Sequence, residues 1–450
     1  MSLIWRSLQA LQKSPIKVKA DINRPKGEKA KLLLGLQGGY AVFHPGVIEE
    51  LSGHSAVSSH SQDYSQQRHV EGNSTSTSQR TIESEISWCT VVRFAKRITT
   101  STLAHLERWH DGEVRNLLFD LQSITFDITA RIMFNYDSRH KLIPLVQAFD
   151  SYKQSAINRY HDFIRFPLLI PTQHNREFQR AHRKLEEVTS RIIAERRTGK
   201  QPADPDLLSI LLSYSRETSD SSSPDKQLVG DVIKLFLTIY ETTAHTLTWA
   251  LEYIMRHPEV ETNLLAEWKR VLAGRPPCLE DFQELTYTQN VLRETLRLTP
   301  RAHLSTGTTF EEFRIGKLSI KNEDSSLLIS PYPIYMDDQH YQESEIFKPE
   351  RYESSAPMND FHHNDQSHFV TTNHLIMLEM VLILATICQR FHLRHETSYR
   401  PSSTDSMPAL YPTDGKQVVA ERRDPDFTLY PSTCPKVVSS LKCQAWRKWI

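Results

Sequence analysis

The stretch Leu235 to Tyr253, LFLTIYETTAHTLTWALEY, constrains the fold of this 450-residue chain more than any other. It is apolar on almost every side, which predicts a helix through the middle of a large domain rather than along its surface. Inside it stand an acid and two hydroxyls, Glu241, Thr242 and Thr243. An unpaired buried carboxylate is costly, so a core helix does not carry one for stability. Two readings are open at this point. Either Glu241 lies on a wet face and the threonines bond back to carbonyls one turn earlier, or the three groups carry chemistry.

Charge and cysteine usage narrow the classes. Lys and Arg total 54 and so do Asp and Glu, so no net charge favours nucleic acid as a partner. Cys89, Cys278, Cys388, Cys434 and Cys443 are scattered, with no CxxC and no metal-ligand spacing. That pattern predicts free thiols in a reducing compartment. The opening MSLIWRSLQALQKSP holds no long apolar run, which predicts neither a signal peptide nor a membrane anchor. The expectation is a soluble, cytoplasmic protein without a membrane span.

The pattern along the chain is mainly α with a small β region. Residues 31–44 read as two short strands around a Gly38-Gly39 turn, and Pro45-Gly46 leads into a helix, VIEEL. Residues 52–87 are rich in Ser, Gln, His and Thr and read as a polar loop or disorder. Helical patterns follow at 103–109, 113–134, about 141–160, 174–197 and within 202–214. A polar loop, SRETSDSSSPDKQ, precedes the central helix. Beyond it, helices are expected at 258–272, 278–285 and 287–298, closed by Gly274 and Pro300. Short strands are expected at 313–316 and 326–330. Leu375 to Phe391 returns to a nearly all-apolar helix, interrupted by Glu379 and so read as a core helix.

On the helix 287–298, Glu294 and Arg297 are one turn apart on one face. Leu292, Leu296 and Leu298 make that helix largely buried. A buried ion pair is tolerable only with further partners, and Arg351, in the segment Phe347-Lys348-Pro349-Glu350-Arg351-Tyr352, is a candidate third member.

Taken in order, these segments resemble the cytochrome P450 family, of the soluble bacterial or fungal kind. Glu294-Thr295-Leu296-Arg297 resembles the family's ExxR, and Phe347 to Tyr352 its PERF-type segment. Ile239-Tyr240-Glu241-Thr242-Thr243 resembles the oxygen-activating segment of its long central helix. Leu378-Glu379-Met380-Val381-Leu382 and Gln389-Arg390-Phe391 resemble the helix after its haem loop. The similarity is dense over residues 228–400 and moderate over 101–135. The resemblance implies a single P450-type domain over 1–416, with 417–450 as a tail of unclear structure. It also implies haem as cofactor and monooxygenation of a small apolar substrate, with electrons from a ferredoxin or a flavoprotein reductase. By the same resemblance Glu241 and Thr242 are the acid–alcohol pair that delivers protons to bound oxygen. Glu294, Arg297 and Arg351 brace the segment that holds the haem, and a cysteine thiolate is the iron's axial ligand.

The chain departs from the family at that ligand. The family's FxxGxRxCxG has no counterpart, because Ser367-His368-Phe369-Val370-Thr371-Thr372-Asn373-His374 runs straight into LIMLEM. Roughly six residues are absent, the cysteine among them. Cys388 lies roughly 21 Å into the following helix, too far to substitute without unwinding it. His368 and His374 flank the gap and imidazole binds haem iron, although both also read as exposed loop histidines. His362-His363 lacks further ligands at metal spacing and reads as part of a polar loop. The family's early WxxxR helix has no match, since Trp88 and Arg93 have the wrong spacing. Ile239 stands where a small residue is expected. The alternative to an impaired monooxygenase is a catalytically inactive, haem-free relative: a binding protein or the product of a decayed gene.

Overall fold

A computed structural model describes residues 30–34, 37–42, 57–61, 88–135, 139–160, 168, 170–199, 206–217, 224–299, 305–309, 313–315, 318–320, 326–329, 335–336, 338, 341–353, 370–396 and 416–423. The chain divides into two compact units. One comprises Met1–Val70, Arg293–Asp365 and Ser398–Asp414; the other Glu71–Leu292, Gln366–Thr397 and Gly415–Ile450.

The first unit is built on strands. β1 (Ala30–Leu34), β2 (Gln37–Val42), β3 (Val57–Ser61), β5 (Ser305–Thr309) and β8 (Ser326–Ile329) form a five-stranded sheet in the order β1-β2-β8-β5-β3. Only β2 and β8 run parallel; the other pairs are antiparallel. Gly38 and Gly39 lie inside β2, opposite Leu33 and Leu32, so they are not the expected turn. β3 falls within the stretch expected to be a loop, 52–87. Its backbone pairs with β5 at the edge of the sheet, and such pairing needs no apolar side chains. A two-stranded ribbon of β6 (Phe313–Ile315) and β7 (Leu318–Ile320) lies apart from that sheet. The helix expected after Pro45-Gly46 lies outside the described residues.

The second unit carries the helices. α1 spans Trp88–Leu106, α2 Leu117–Phe134, α3 Arg139–Tyr160, α4 Gln173–Thr198 and α5 Leu207–Glu217. The central helix, α6, spans Pro224–Arg256; α7 spans Pro258–Leu272 and α9 Val370–Arg390, while α8 (Thr286–Leu298) passes into the first unit at Arg293. α6 packs against α2, α4 and α9. Its residues 243–252 are buried on every side, which is what the all-round apolar pattern required. An aromatic group seals α6 to α2 and α3. Phe236 stacks on Phe149 at 4.5 Å, and Phe126 meets Phe236 edge-on at 5.0 Å.

Several boundaries differ from the sequence expectation. α1 begins at Trp88, not near Leu103. The expected helix from Glu113 starts instead with a strand, β4 (Glu113–Asn116), and α2 begins after Asn116, whose side chain accepts from Phe119 N. The strand forms because β10 (Gln417–Arg422) pairs with it, from about 300 residues away in the chain. β10 was expected to belong to the tail. It is the middle strand of a sheet in the order β4-β10-β9, where β9 is Phe391–His395. No described helix is long and apolar enough to cross a membrane.

Candidate functional site

In the first unit, Glu294 on α8 is the centre of a buried network. It is 0% exposed and Arg297 1%. The Arg297 guanidinium binds Glu294 through two parallel hydrogen bonds, Nε to Oε2 at 2.9 Å and Nη2 to Oε1 at 2.8 Å. The same Oε1 accepts from Arg351 Nε at 2.9 Å and from the backbone N–H of Lys348 at 3.0 Å. Arg297 spends its remaining protons on backbone carbonyls: Nη1 donates to Tyr335 O and Ser344 O, both at 2.6 Å, and Nη2 to Ile346 O. Its face lies over the Tyr341 ring at 5.1 Å. Burial works against the Arg297 cation, but the Glu294 carboxylate more than offsets this and holds the guanidinium above its ordinary range. Arg351 Nη1 donates to Gln342 O. One carboxylate and two guanidinium groups thus pin the segment 335–351 to α8. A planar fork with five donors can do this; an ammonium cannot.

In the second unit, α6 carries the other expected residues. Glu241 is buried, Thr242 half-buried, and Thr243 fully buried. Ile239 is 0% exposed, so the β-branched side chain occupies core space where the family resemblance expects a small residue. Thr243 Oγ1 donates to Glu379 Oε2 on α9 at 3.3 Å, joining residues 136 apart. Glu379 is completely buried, and burial holds its carboxyl well above the usual range, against the smaller opposing effect of Thr243. Its other oxygen, Oε1, has no hydrogen-bond partner among the described residues. The sequence marked Glu379 only as an interruption in an apolar run; a lone acid at the centre of such a run was the available signal for a paired, neutral carboxyl. The carbonyls that receive Arg297 left no signal, since a backbone oxygen has no residue type.

Among the described residues, few donors lie close in sequence to the expected haem ligand. Cys388 is a free, buried thiol, pushed by burial up to about 12. α9 starts at Val370, earlier than expected, which places Cys388 about 27 Å along its axis at 1.5 Å per residue. Arg423 Nε donates to the Cys388 carbonyl at 2.8 Å, fixing that end of α9 beside β10. A metal ligand must be deprotonated, and this thiol is held protonated. Cys278 is in a disulfide, not the free thiol the sequence suggested. His374 is half-buried on α9. His368, His362 and His363 lie outside the described residues, as do the side chains of Cys89, Cys434 and Cys443. Among the described residues no group of three or more His, Cys, Asp or Glu could hold a metal ion. Among the described residues, no cysteine is placed to act as a haem thiolate.

Comparison with known families matches residues 69–369 to Cytochrome P450. The match ends at Phe369, one residue before α9. Among curated proteins, the chain is 26% identical over 414 residues to a cyclooctat-9-en-7-ol 5-monooxygenase of Streptomyces melanosporofaciens, covering 86% of this chain and 86% of that protein. It is 26% identical over 339 residues to a pentalenene oxygenase of Streptomyces avermitilis, covering 72% of this chain and 74% of the relative. A bifunctional cytochrome P450/NADPH–P450 reductase 2 of Bacillus subtilis is 24% identical over 72% of this chain, which spans 32% of that longer protein.

Proposed function

The chain belongs to the cytochrome P450 family, and from that premise we propose that it is a P450-type monooxygenase scaffold for a small apolar, terpene-class molecule, in which haem-dependent turnover is impaired. The substrate class rests on what the similar oxygenases are named for. A ferredoxin or flavoprotein reductase is the corresponding electron donor, and the cytoplasm the corresponding compartment. Glu241 and Thr242 are assigned as the proton-handling pair, and Glu294, Arg297 and Arg351 as the brace of the segment that precedes the ligand position.

One observation carries the impairment. The free cysteine among the described residues, Cys388, is buried and held protonated, at the far end of the helix that should follow the ligand. Neither the sequence between Arg351 and α9 nor this thiol supplies an iron thiolate. The haem-free relative, a binding protein or a decayed product, is the limiting case of the same reading.

The test is an absorption spectrum of the purified chain after haem reconstitution, and again after reduction under carbon monoxide. The expected result is less than one haem per chain and no strongly red-shifted Soret band. A stoichiometric, red-shifted band would show that a cysteine reaches the iron and would overturn the proposal. A stoichiometric band without the shift, abolished by His374→Ala or His368→Ala, would assign a histidine ligand instead.

A further inference from the structure

The outer face of α4 carries positive charge that the monooxygenase reading does not use. Arg176, Arg180 and Arg183 are exposed and follow one another at spacings of four and three, so they share one side of the helix. That side lies opposite the buried Phe178, Ala181 and Leu185. Among the described residues none of the three pairs with a carboxylate; Arg183 Nε donates to the Gln179 carbonyl of its own helix. The neighbouring acids are engaged elsewhere. Glu177 accepts from Gln173 at 3.0 Å, Glu186 lies 3.5 Å from His182 Nδ1, and Glu187 pairs with Lys184 and Arg191, both at 3.0 Å. The chain as a whole balances 54 cations against 54 acids, so this stripe is a local excess and not a consequence of composition.

At the N-terminal end of the stripe a large apolar side chain is held out of the core. Ile170, just before α4, is 44% exposed. Its carbonyl accepts from Asn175 Nδ2 at 2.9 Å and from the Thr172 N–H at 2.8 Å. Asn175 is 2% exposed and accepts in turn from Arg159 Nε, at the end of α3, at 2.9 Å. One turn further on, Gln179 Nε2 donates to the Leu168 carbonyl at 2.9 Å. The carbonyls at 168 and 170 are thus bonded to α4, and the Ile170 side chain is left outward beside the arginines. A lone exposed isoleucine is ordinary on a protein surface. Set against a stripe of guanidinium groups with no carboxylate, it defines a face that asks for anions and for apolar contact together. An acidic protein would answer the arginines alone. An anionic bilayer answers both, because lipid phosphates match the guanidinium fork and the headgroup–acyl boundary accepts the apolar side chain.

We propose that the outer face of α4 is a peripheral docking surface for an anionic lipid bilayer. The helix lies on the headgroups with Arg176, Arg180 and Arg183 paired to lipid phosphates and Ile170 seated at the acyl boundary. The attachment crosses nothing, in keeping with described helices none of which is long and apolar enough to span a membrane. Its strength comes mainly from charge, so it is reversible and weakens as salt screens the surface. The face draws on no haem contact and stands whether or not the monooxygenase reading does.

Sedimentation of the full chain with vesicles tests this, using phosphatidylcholine alone and phosphatidylcholine mixed with phosphatidylglycerol. The expected result is binding to the mixed vesicles alone, falling as salt is raised. Changing Arg176, Arg180 and Arg183 together to Gln should weaken that binding by roughly a hundredfold, about fivefold for each cation. The same three changed to Lys should keep most of it, and Ile170→Ser should weaken it several-fold with the salt dependence unchanged. All four positions are exposed, and a far-ultraviolet circular dichroism spectrum matching the parent's confirms that each variant is folded. No sedimentation with either vesicle, equal sedimentation with both, or a Gln variant that binds as tightly as the parent would each overturn the proposal. Binding that the Gln variant loses, that Ile170→Ser leaves untouched and that soluble polyglutamate displaces would assign the face to an acidic protein and overturn the bilayer.

Discussion

Arg297 is the residue on which the first unit's loop segment depends, because five of its hydrogen bonds run to Glu294 and to three separate backbone carbonyls. Glu294→Ala leaves that cation buried and uncompensated, and releases Arg351 and the Lys348 amide with it. Removing one partner of a buried pair typically costs about 3–5 kcal/mol, and a loss of that size is expected in urea unfolding. Glu294→Gln retains two acceptor positions at most and should fall between. The spacing of Glu294 and Arg297 was legible in the sequence, and so was Arg351 as a candidate; the carbonyls of Tyr335, Ser344 and Ile346 were not, since only the fold brings them to the guanidinium. Glu379 makes a second prediction at this scale. Its folded-state pKa is raised, so the folded protein binds the proton more tightly than the unfolded chain. Its contribution is fully present below the unfolded value of about 4.5 and is lost as pH rises through the folded value. Between those limits the slope approaches about 1.4 kcal/mol per pH unit. Glu379→Gln keeps a donor and an acceptor without ionising. It should match the parent in unfolding free energy near pH 4 and exceed it near pH 8; a parent curve with no such decline relative to the variant would refute the neutral carboxyl.

Helix starts follow the same logic of satisfying backbone groups, and α8 is held by a neighbour rather than by its own cap. Glu267 on α7 accepts from the backbone N–H of Tyr287 at 2.7 Å through Oε1 and from that of Thr288 at 2.9 Å through Oε2. The Thr288 hydroxyl donates to the same Oε2 at 2.6 Å and itself accepts from Trp268 Nε1. These amides belong to the first turn, which has no intrahelical acceptors. Glu267→Ala should destabilise this end of α8 by about 1–3 kcal/mol. Hydrogen exchange at Tyr287 and Thr288 should accelerate by roughly tenfold for each 1.4 kcal/mol lost. Unchanged exchange there would mean the carboxylate is not their anchor. Elements of this kind were legible where the period was strong and the partner local, as in α4, α6 and α7. They were hidden where the partner was distant. β4 looked like the first turn of a helix because β10 lies at the other end of the chain. β3 looked like a polar loop because an edge strand is held by backbone bonds that leave no apolar trace.

At the scale of the molecule, the order of motifs is what placed the chain in its family. The match of residues 69–369 to Cytochrome P450 bears out that reading. What the order could not show is whether the frame still supports the chemistry. The structure joins Glu294, Arg297 and Arg351 in one buried network. On the proposed reading, in which that network braces the segment before the haem ligand, competence is limited by one local loss. If so, replacing Val370-Thr371-Thr372 with a segment that restores FxxGxRxCxG between Phe369 and Asn373 should yield stoichiometric haem and a red-shifted Soret band with carbon monoxide. The same replacement with serine in place of the cysteine should not. Should the restored chain still fail to take up haem while remaining folded, the loss is distributed. Ile239, fully buried in α6 at the position of an expected small residue, is then the next side chain to reduce, as Ile239→Gly in the restored background. Recovery of haem uptake in that double construction would locate the second obstacle on the central helix; continued failure would leave the haem-free reading as the description of the whole chain.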